Sequence, residues 1–253
     1  MNNSMTARGG SAARRGADAA RAGDVTVARL DWAALDELAR RAPLARGYRF
    51  AMLERHEVYP VIDLIERWFP AISVGSASSY LDESFYERRV WFAGGPPRDV
   101  VVVTLRRGAA LVGVFSFDCD RRALSIHARI GVATPEHRGA RLAQAGMAFS
   151  EAAGRWMGMG MVYGMATLKE PHAQRAFERA GWRLVGIAPG LDRELVEPGV
   201  VKRVYEALYT KALVANDDVL SPHPHNMTQR TREVFGLLFR DGEPATAANH
   251  AAS

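Results

Sequence analysis

The stretch that decides the fold covers residues 130–147 and reads IGVATPEHRGARLAQAGM. A β-rich run ends at Ala133, Pro135 interrupts it, and the residues from Arg138 to Ala143 open an amphipathic helix. The first backbone amides of a helix have no intrahelical partner and carry the positive end of its dipole. This strand-turn-helix therefore predicts an anion site that can hold a pyrophosphate on main-chain donors.

The composition of the turn suits such a site without matching the common nucleotide motifs. Small residues at Gly139, Ala140 and Ala143 let a phosphate approach the backbone, and Arg138 or Arg141 adds positive charge. The spacing is neither the glycine pattern of dinucleotide-binding folds nor a P-loop. Taken alone, the segment fits equally a capped helix on a solvated turn, so its surroundings decide its meaning.

Hydrophobic periodicity predicts the elements around it. Helices are expected at 31–42, 58–69, 79–88, 142–156, 171–180 and 228–239. Strands are expected at 48–53, 100–105, 111–117, 123–133, 161–168, 183–187 and 200–213. Asp31 suits the N-cap of the first helix, and Ser79 with Asp82 resembles a capping box for the third. The run Asp118-Cys119-Asp120 predicts a turn. This order implies one mixed sheet with helices on its faces.

With these elements around it, the segment resembles the acyl-CoA-binding motif of the GNAT acetyltransferase superfamily, whose signature is Arg/Gln-x-x-Gly-x-Gly/Ala. Residues 170–182, EPHAQRAFERAGW, resemble the second landmark of that superfamily, a helix that ends in an aromatic-x-x-x-Gly-Phe/Trp pattern and turns into a strand. The resemblance spans roughly residues 45–213. It implies an α/β fold with a GNAT-like mixed, mostly antiparallel sheet of about seven strands flanked by helices on both faces.

The resemblance also implies an acetyl-CoA-dependent N-acyltransferase that moves an acetyl group directly to a primary amine, with acetyl-CoA as co-substrate. A longer acyl-CoA or acyl-carrier donor, or a CoA-binding module without turnover, are the alternatives. The expected cofactor-binding residues are Gly131, Val132, Ala133, Arg138, Gly139, Ala140, Arg141, Leu142, Ala143 and Gln144.

Three residues depart from the family pattern. Arg141 stands where the signature has glycine, Glu170 where it has asparagine near the start of the later helix, and Phe177 where many members carry a tyrosine general acid. Phenylalanine cannot protonate a departing thiolate, which motivates the alternative of a module without turnover. Tyr163, Tyr205 and Tyr209 are the candidates to replace the missing acid, and the sequence does not choose among them.

His127 is the first candidate for the general base. It precedes Arg138 by 138 − 127 = 11 residues, a spacing that resembles the base position of several amine-acetylating members. An imidazole accepts a proton near neutral pH. Alternation places Ser125, His127 and Arg129 on a polar strand face and Ile126, Ala128 and Ile130 on an apolar one. Packing on the sheet is the alternative role of His127, and Glu170 is the second candidate base.

The overall composition excludes several classes of binding partner. The net charge is +5, but only 3 of the 33 basic residues are lysines and the arginines are scattered among acids, so no nucleic-acid partner is expected. No apolar run approaches the ~18 residues of a membrane span. The single Cys119 excludes an intrachain disulfide and favours a reducing, cytoplasmic location. The chain lacks metal-ligand spacing, and no metal is expected.

The chain is expected to divide into a disordered tail at 1–25, the acyltransferase domain at 26–213 with its extra helix near 31–42, and an extension at 214–253 with one short helix. Residues 58–89 and the stretch 189–200 are expected to line the acceptor pocket. Since that stretch carries Asp192, Glu194 and Glu197, a cationic small-molecule amine is favoured as the acceptor. A homodimer is a further possibility.

Overall fold

The sheet organises the molecule. The computed structural model describes residues 31–138 and 141–239, and its seven strands lie in the order β1-β2-β3-β4-β5-β7-β6. Among these strand pairs, only β4–β5 is parallel. The mixed, mostly antiparallel sheet of the predicted GNAT-like fold is thereby confirmed. The strands are β1 Tyr48–Met52, β2 Val100–Arg107, β3 Ala110–Asp120, β4 Ser125–Ala133, β5 Met161–Thr167, β6 Arg183–Glu197 and β7 Val200–Ala212.

Helices cover both faces of the sheet. They are α1 Trp32–Arg40, α2 Val58–Trp68, α3 Glu83–Arg89, α4 Leu142–Trp156, α5 His172–Arg179 and α6 Gln229–Leu238, and two 3₁₀ turns at Pro70–Val74 and Ser76–Leu81 form what we call segment 70–81. One buried cluster joins the sheet to α1, α4 and α5, with Phe117 and Phe149 at its centre. A second joins it to α2, α3 and segment 70–81 around Ile65 and Tyr86.

One of the two predicted helix caps is confirmed and the other is wrong. Asp31 caps α1, since its Oδ1 accepts from the amide of Ala33 at 2.9 Å. The capping box expected at Ser79 is wrong. Asp82 itself is the N-cap of α3 and accepts from the amide of Ser84 at 2.9 Å, while Ser79 lies inside the preceding 3₁₀ turn. The same local pattern of polar residues serves a helix that starts four residues later.

Two predicted turns and loops are strand. The run Asp118-Cys119-Asp120 belongs to β3, which turns only after Asp120. Residues 189–197, expected to be part of a loop, belong to β6, which pairs with β7 in a long hairpin. β6 is an edge strand, where proline is tolerated because its missing amide faces away from the partner. A register shift between Ala188 and Asp192 takes up Pro189 and Gly190, the latter at φ +68°.

The tail predicted at 1–25 and the last residues, 240–253, lie outside the described part of the chain. Over 31–138 and 141–239, no helix is both long and apolar enough to cross a bilayer.

Candidate active site

The centre of the sheet opens between β4 and β5. Their pairing runs from Ser125–Met161 to Ala128–Gly164, while β4 continues to Ala133 and β5 to Thr167. β5 stays paired with β7 over its whole length and β4 stays paired with β3 as far as Ala133, so the sheet splits between β4 and β5. The two central strands therefore enclose a gap whose walls are the last residues of each.

A β-bulge at Arg129 lies where the gap begins. β3 pairs Phe117 with Ala128 and Ser116 with Ile130, so Arg129 is the extra residue in β4. An extra residue reverses the alternation of faces beyond it. Ile126 and Ala128 accordingly pack toward α4 and α5, whereas Ile130 packs toward α2. The prediction that Ile130 shares the face of Ile126 and Ala128 is wrong for this reason.

The guanidinium of Arg129 is held on the face covered by segment 70–81. Its Nη2 donates to the carbonyl of Ser76 at 3.0 Å, and its Nε lies 3.7 Å from Oδ2 of Asp118. The side chain is 18% exposed. Arg129 therefore fixes a positive charge beside the gap.

The start of α4 leaves its amides open to a ligand. Arg141 precedes the helix in a left-handed conformation at φ 55°, and among the described residues no side chain caps the helix. The first intrahelical bond runs from the amide of Ala145 to the carbonyl of Arg141. The amides of Leu142, Ala143 and Gln144 thus precede the helical ladder and point outward from the helix start. Leu142 is buried, Ala143 exposed and Gln144 half-buried.

The two arginines of the turn have different surroundings. Arg138 turns back, and donates from Nε to the carbonyl of Ala133 at 3.2 Å and from Nη2 to that of Trp68 at 3.4 Å. Arg141 is exposed and lines a cavity of about 350 Å³ together with Gln144, Arg179 and Lys211. Glu151 of α4 also lines the cavity and pairs with Nζ of Lys211 at 2.7 Å, so Arg141 and Arg179 supply its remaining positive charge. Gly139 and Ala140 lie outside the described residues.

The ring of Phe115 on β3 packs tightly between the end of β4 and α4. Gly131 is exposed, and a Cβ added there would lie 3.3 Å from the ring of Phe115. A Cβ at Gly146 of α4 would lie only 2.4 Å from the same ring. Val132 is buried and Ala133 half-buried. Helix and strand approach this closely because glycine faces the Phe115 ring from both sides.

His127 lies in the paired part of β4, before the gap. Its ring stacks on that of Tyr163 with centroids 4.5 Å apart and planes at 11°. Both line a polar cavity of about 650 Å³ with Asp118 and Ser125. Burial, with a smaller effect of Arg129, lowers the pKa of His127 to about 4. The imidazole is neutral at pH 7 and weakly basic, and its assignment as general base stays a prediction.

Glu170 lies elsewhere. It is an exposed residue between β5 and α5, and its carbonyl accepts from Nε2 of Gln174 at 3.1 Å. His127 and Glu170 are thus separated along the sheet, one below the gap and one beyond the end of β5. The catalytic role of Glu170 also stays a prediction.

The family's tyrosine position, here Phe177, is filled by an aromatic stack. Phe177 is buried, with its ring 5.1 Å from that of Tyr209 and 4.9 Å from that of Trp182. The hydroxyl of Tyr209 donates to Oε1 of Glu178 at 3.0 Å, and burial raises its pKa to about 12. Tyr205 is 57% exposed. The structure therefore occupies Tyr209 in packing α5 against the sheet.

Sequence reasoning missed Glu206. It lies on β7 opposite Thr167, the last residue of β5, and is half-buried. Its neighbours Ala207 and Tyr209 pack toward α5, so alternation places the Glu206 carboxylate on the opposite face, beneath segment 70–81. Burial, followed by Asp192 and Glu194, raises its pKa to about 7. The sequence signal that could have found it is its alternation with Val204: Glu206 lies on the same face of β7 as this buried valine.

Two other acidic residues of the β6–β7 hairpin are engaged in contacts. Asp192 accepts from the amide and hydroxyl of Ser76, and Glu194 pairs with Nζ of Lys169 at 2.7 Å. The first contact ties segment 70–81 to β6, and the second ties β6 to the residues that follow β5. Together they close the side of the gap away from β4.

Cys119 does not offer a nucleophile. It is 5% exposed, and burial together with Asp118 and Asp99 raises the pKa of its thiol to about 12. Within the described ranges, no group of three His, Cys, Asp or Glu side chains is arranged to hold a metal ion.

Comparison with solved structures finds the same fold in acetyltransferases. A mutant form of spermidine N-acetyltransferase SpeG from Vibrio cholerae aligns with 67% of this chain and 95% of its own, at TM-score 0.54 and 13% identity. The spermidine N-acetyltransferase of Vibrio cholerae in complex with CoA and spermine aligns at TM-score 0.51 and 12% identity, over 67% of this chain and 97% of its own. RimL, a ribosomal L7/L12 alpha-N-protein acetyltransferase, aligns with 69% of this chain and 98% of its own, at TM-score 0.50 and 10% identity.

These likenesses show that the chain has the GNAT acetyltransferase fold. No protein-family model and no curated protein sequence matches it.

Proposed function

We propose that the protein is an acetyl-CoA-dependent N-acetyltransferase that transfers an acetyl group directly to a primary amine. The observation that carries the proposal is the gap between β4 and β5 next to the uncapped start of α4. The two features together provide a channel for a thioester and an anion site for the phosphates of its carrier. The described residues that form these two features lie within the expected domain, 26–213.

The cofactor site fits CoA in charge and in shape. The free amides at Leu142–Gln144 suit the pyrophosphate, as at other helix starts that bind phosphate. Arg141 and Arg179, on the cavity beside α4, supply positive charge for the remaining phosphate. Gly131 is exposed and has no side chain of its own, which suits the close approach of a pantetheine chain to β4.

The chemistry requires an oxyanion donor and a proton acceptor. The backbone of residues 131–133, which lies beyond the last β4–β5 pair, has amides on the gap side that can donate to the thioester oxygen. His127 and Glu170 are the sequence-derived bases. His127 would approach the gap from the end where β4 and β5 are paired. Glu170 would approach it from the opposite end, between β5 and α5.

The acceptor side supports an amine that carries positive charge. Asp192, Glu194 and Glu206 lie together on the hairpin face beneath segment 70–81, with Arg129 as the opposing charge. The solved neighbours SpeG and RimL are named for a polyamine and for a protein N-terminus, and both of these acceptors are amines.

Calorimetry with acetyl-CoA, followed by a transfer assay, tests the proposal. The amines should include spermidine, n-butylamine and a peptide with a free α-amine, and mass spectrometry should detect the product. We expect acetyl-CoA binding and stoichiometric release of CoA with an N-acetylated amine. Transfer from octanoyl-CoA but not acetyl-CoA would favour the longer-donor alternative. Binding without transfer would favour a CoA-binding module, and no binding would refute the proposal.

A further inference from the structure

Within the described ranges, one carboxylate on the hairpin face beneath segment 70–81 differs from its acidic neighbours in lacking a polar partner. Among the described residues, no hydrogen bond or ion pair to the carboxylate of Glu206 is found, whereas Asp192 is bound to Ser76 and Glu194 to Lys169. A half-buried carboxylate that lacks such partners costs stability. This cost is expected where a site needs a reactive group rather than a structural one.

Its position in the sheet places it one strand away from the gap, across β5. Glu206 lies opposite Thr167, the last residue of β5, three strand positions beyond Gly164, where β4 and β5 cease to pair. It lies on the face that segment 70–81 covers, and this is also the face of Arg129, the bulge residue on the other side of the gap. An amine that enters beneath segment 70–81 therefore meets Glu206 on one side and β4 on the other.

We propose that Glu206 is the general base of the acetyl transfer, the group that takes the proton from the ammonium form of the acceptor. The inference rests on the proposed function. An alkylammonium group has a pKa of ~10.4, so it must lose a proton before its nitrogen can attack.

The step balances as follows. The ammonium N–H bond breaks and its proton moves to the Glu206 carboxylate. The nitrogen lone pair then forms the C–N bond to the thioester carbonyl, and the C–S bond breaks with its electron pair remaining on sulfur. The second proton of the nitrogen goes to the thiolate. The proton on Glu206 is released to solvent, leaving an N-substituted acetamide and CoA thiol.

The surroundings of Glu206 suit a base that works near neutral pH. Burial raises its pKa most, Asp192 and Glu194 on β6 raise it further, and Arg129 on β4 lowers it, with a result of about 7. A base is most effective when its pKa lies near the working pH. Because the ionised form is active, kcat/KM should rise with pH and level off above about pH 7.

The experiment compares wild type with Glu206→Gln, using the amine of the panel above that wild type acetylates fastest. Glu233→Gln on α6 removes an equal charge from an exposed position and serves as the control. We expect Glu206→Gln to lower kcat/KM at least ~100-fold and to abolish its rise toward pH 7, while the Kd for acetyl-CoA is unchanged. Glu233→Gln should match wild type.

A second variant keeps the test decisive if Glu206→Gln does not fold. Asp192→Asn retains an acceptor for Ser76 but removes a charge that raises the Glu206 pKa, so the rise in kcat/KM should move to lower pH. If Glu206 had only a structural role, the pH at which kcat/KM rises would stay the same. Transfer by wild type with an unchanged pH profile in both variants would overturn this inference alone. Absence of transfer by wild type to every amine would overturn the proposed function, and this inference with it.

Discussion

The carboxylate of Asp192 on β6 accepts hydrogen bonds from both the amide and the hydroxyl of Ser76, at 2.9 and 2.7 Å. The two residues are 116 positions apart in the chain. Gly75 allows this approach, since a Cβ there would lie 2.4 Å from the carbonyl of Arg193. The contact fixes segment 70–81 over the β6–β7 hairpin.

Loss of this contact should loosen segment 70–81. We expect Asp192→Ala to lower the free energy of unfolding by about 1 kcal/mol, because the bonds are partly exposed to solvent. The KM for the amine should rise, while the Kd for acetyl-CoA, bound on the other face, should not change. Urea unfolding and steady-state kinetics measure both. If the KM for the amine and the Kd for acetyl-CoA rose by the same factor, Asp192 would instead act on the whole fold.

A negative charge at the start of α4 should exclude the cofactor. Ala143 is exposed in the first helical turn, where a glutamate is compatible with the helix dipole but repels a pyrophosphate. Ala143→Glu should raise the acetyl-CoA Kd at least ~10-fold, about 1.4 kcal/mol, without loss of thermal stability. Ala33→Glu, in the first turn of α1, is the matched control. Calorimetry that finds the same affinity in both variants would remove the anion site from α4.

His127 should make stability depend on pH. Its folded pKa of about 4 lies below the ordinary value of 6.5, so below pH 6.5 the unfolded chain binds a proton that the folded protein does not. The free energy of unfolding should therefore fall as the pH is lowered from 7 to 5, by about 2 kcal/mol from this residue. Urea unfolding of wild type and His127→Gln should show that difference, and parallel curves would contradict the pKa.

The same variant tests His127 as general base. With Glu206 in that role, His127→Gln should keep the rise of kcat/KM toward pH 7 and lose less than ~10-fold in rate at neutral pH. A loss of ~100-fold or more, with a flattened profile, would restore the imidazole as the base and displace Glu206.

The packing of α4 on the ring of Phe115 leaves no room for a side chain at Gly146. Its added methyl would meet the Phe115 ring, so Gly146→Ala should destabilise the protein by about 1–3 kcal/mol. Gly236→Ala on α6, where nothing lies within 4 Å, should instead be neutral or stabilising by up to ~1 kcal/mol. Adding Phe115→Leu to Gly146→Ala should restore part of the loss. Thermal unfolding of these variants would contradict the packing if the two glycines behaved alike.

The sequence by itself determined the element order and the class of fold. Apolar periodicity located the central strands and the long helix α4, because burial of one face imposes a period on each. The strand-turn-helix at 130–147 predicted an anion site, since unpaired amides at a helix start are a local property. Asp31 as an N-cap is predictable on the same local grounds.

Only the tertiary structure decided which side chains meet. The bulge at Arg129 reversed the face of Ile130, and the register of β7 brought Glu206 to the end of β5. Proline and glycine at 189–190 predicted a loop, but an edge strand accommodates both. The pKa values of His127 and Glu206 likewise follow from burial and from charges on other strands. Register and burial arise from contacts between distant parts of the chain, and local patterns do not specify them.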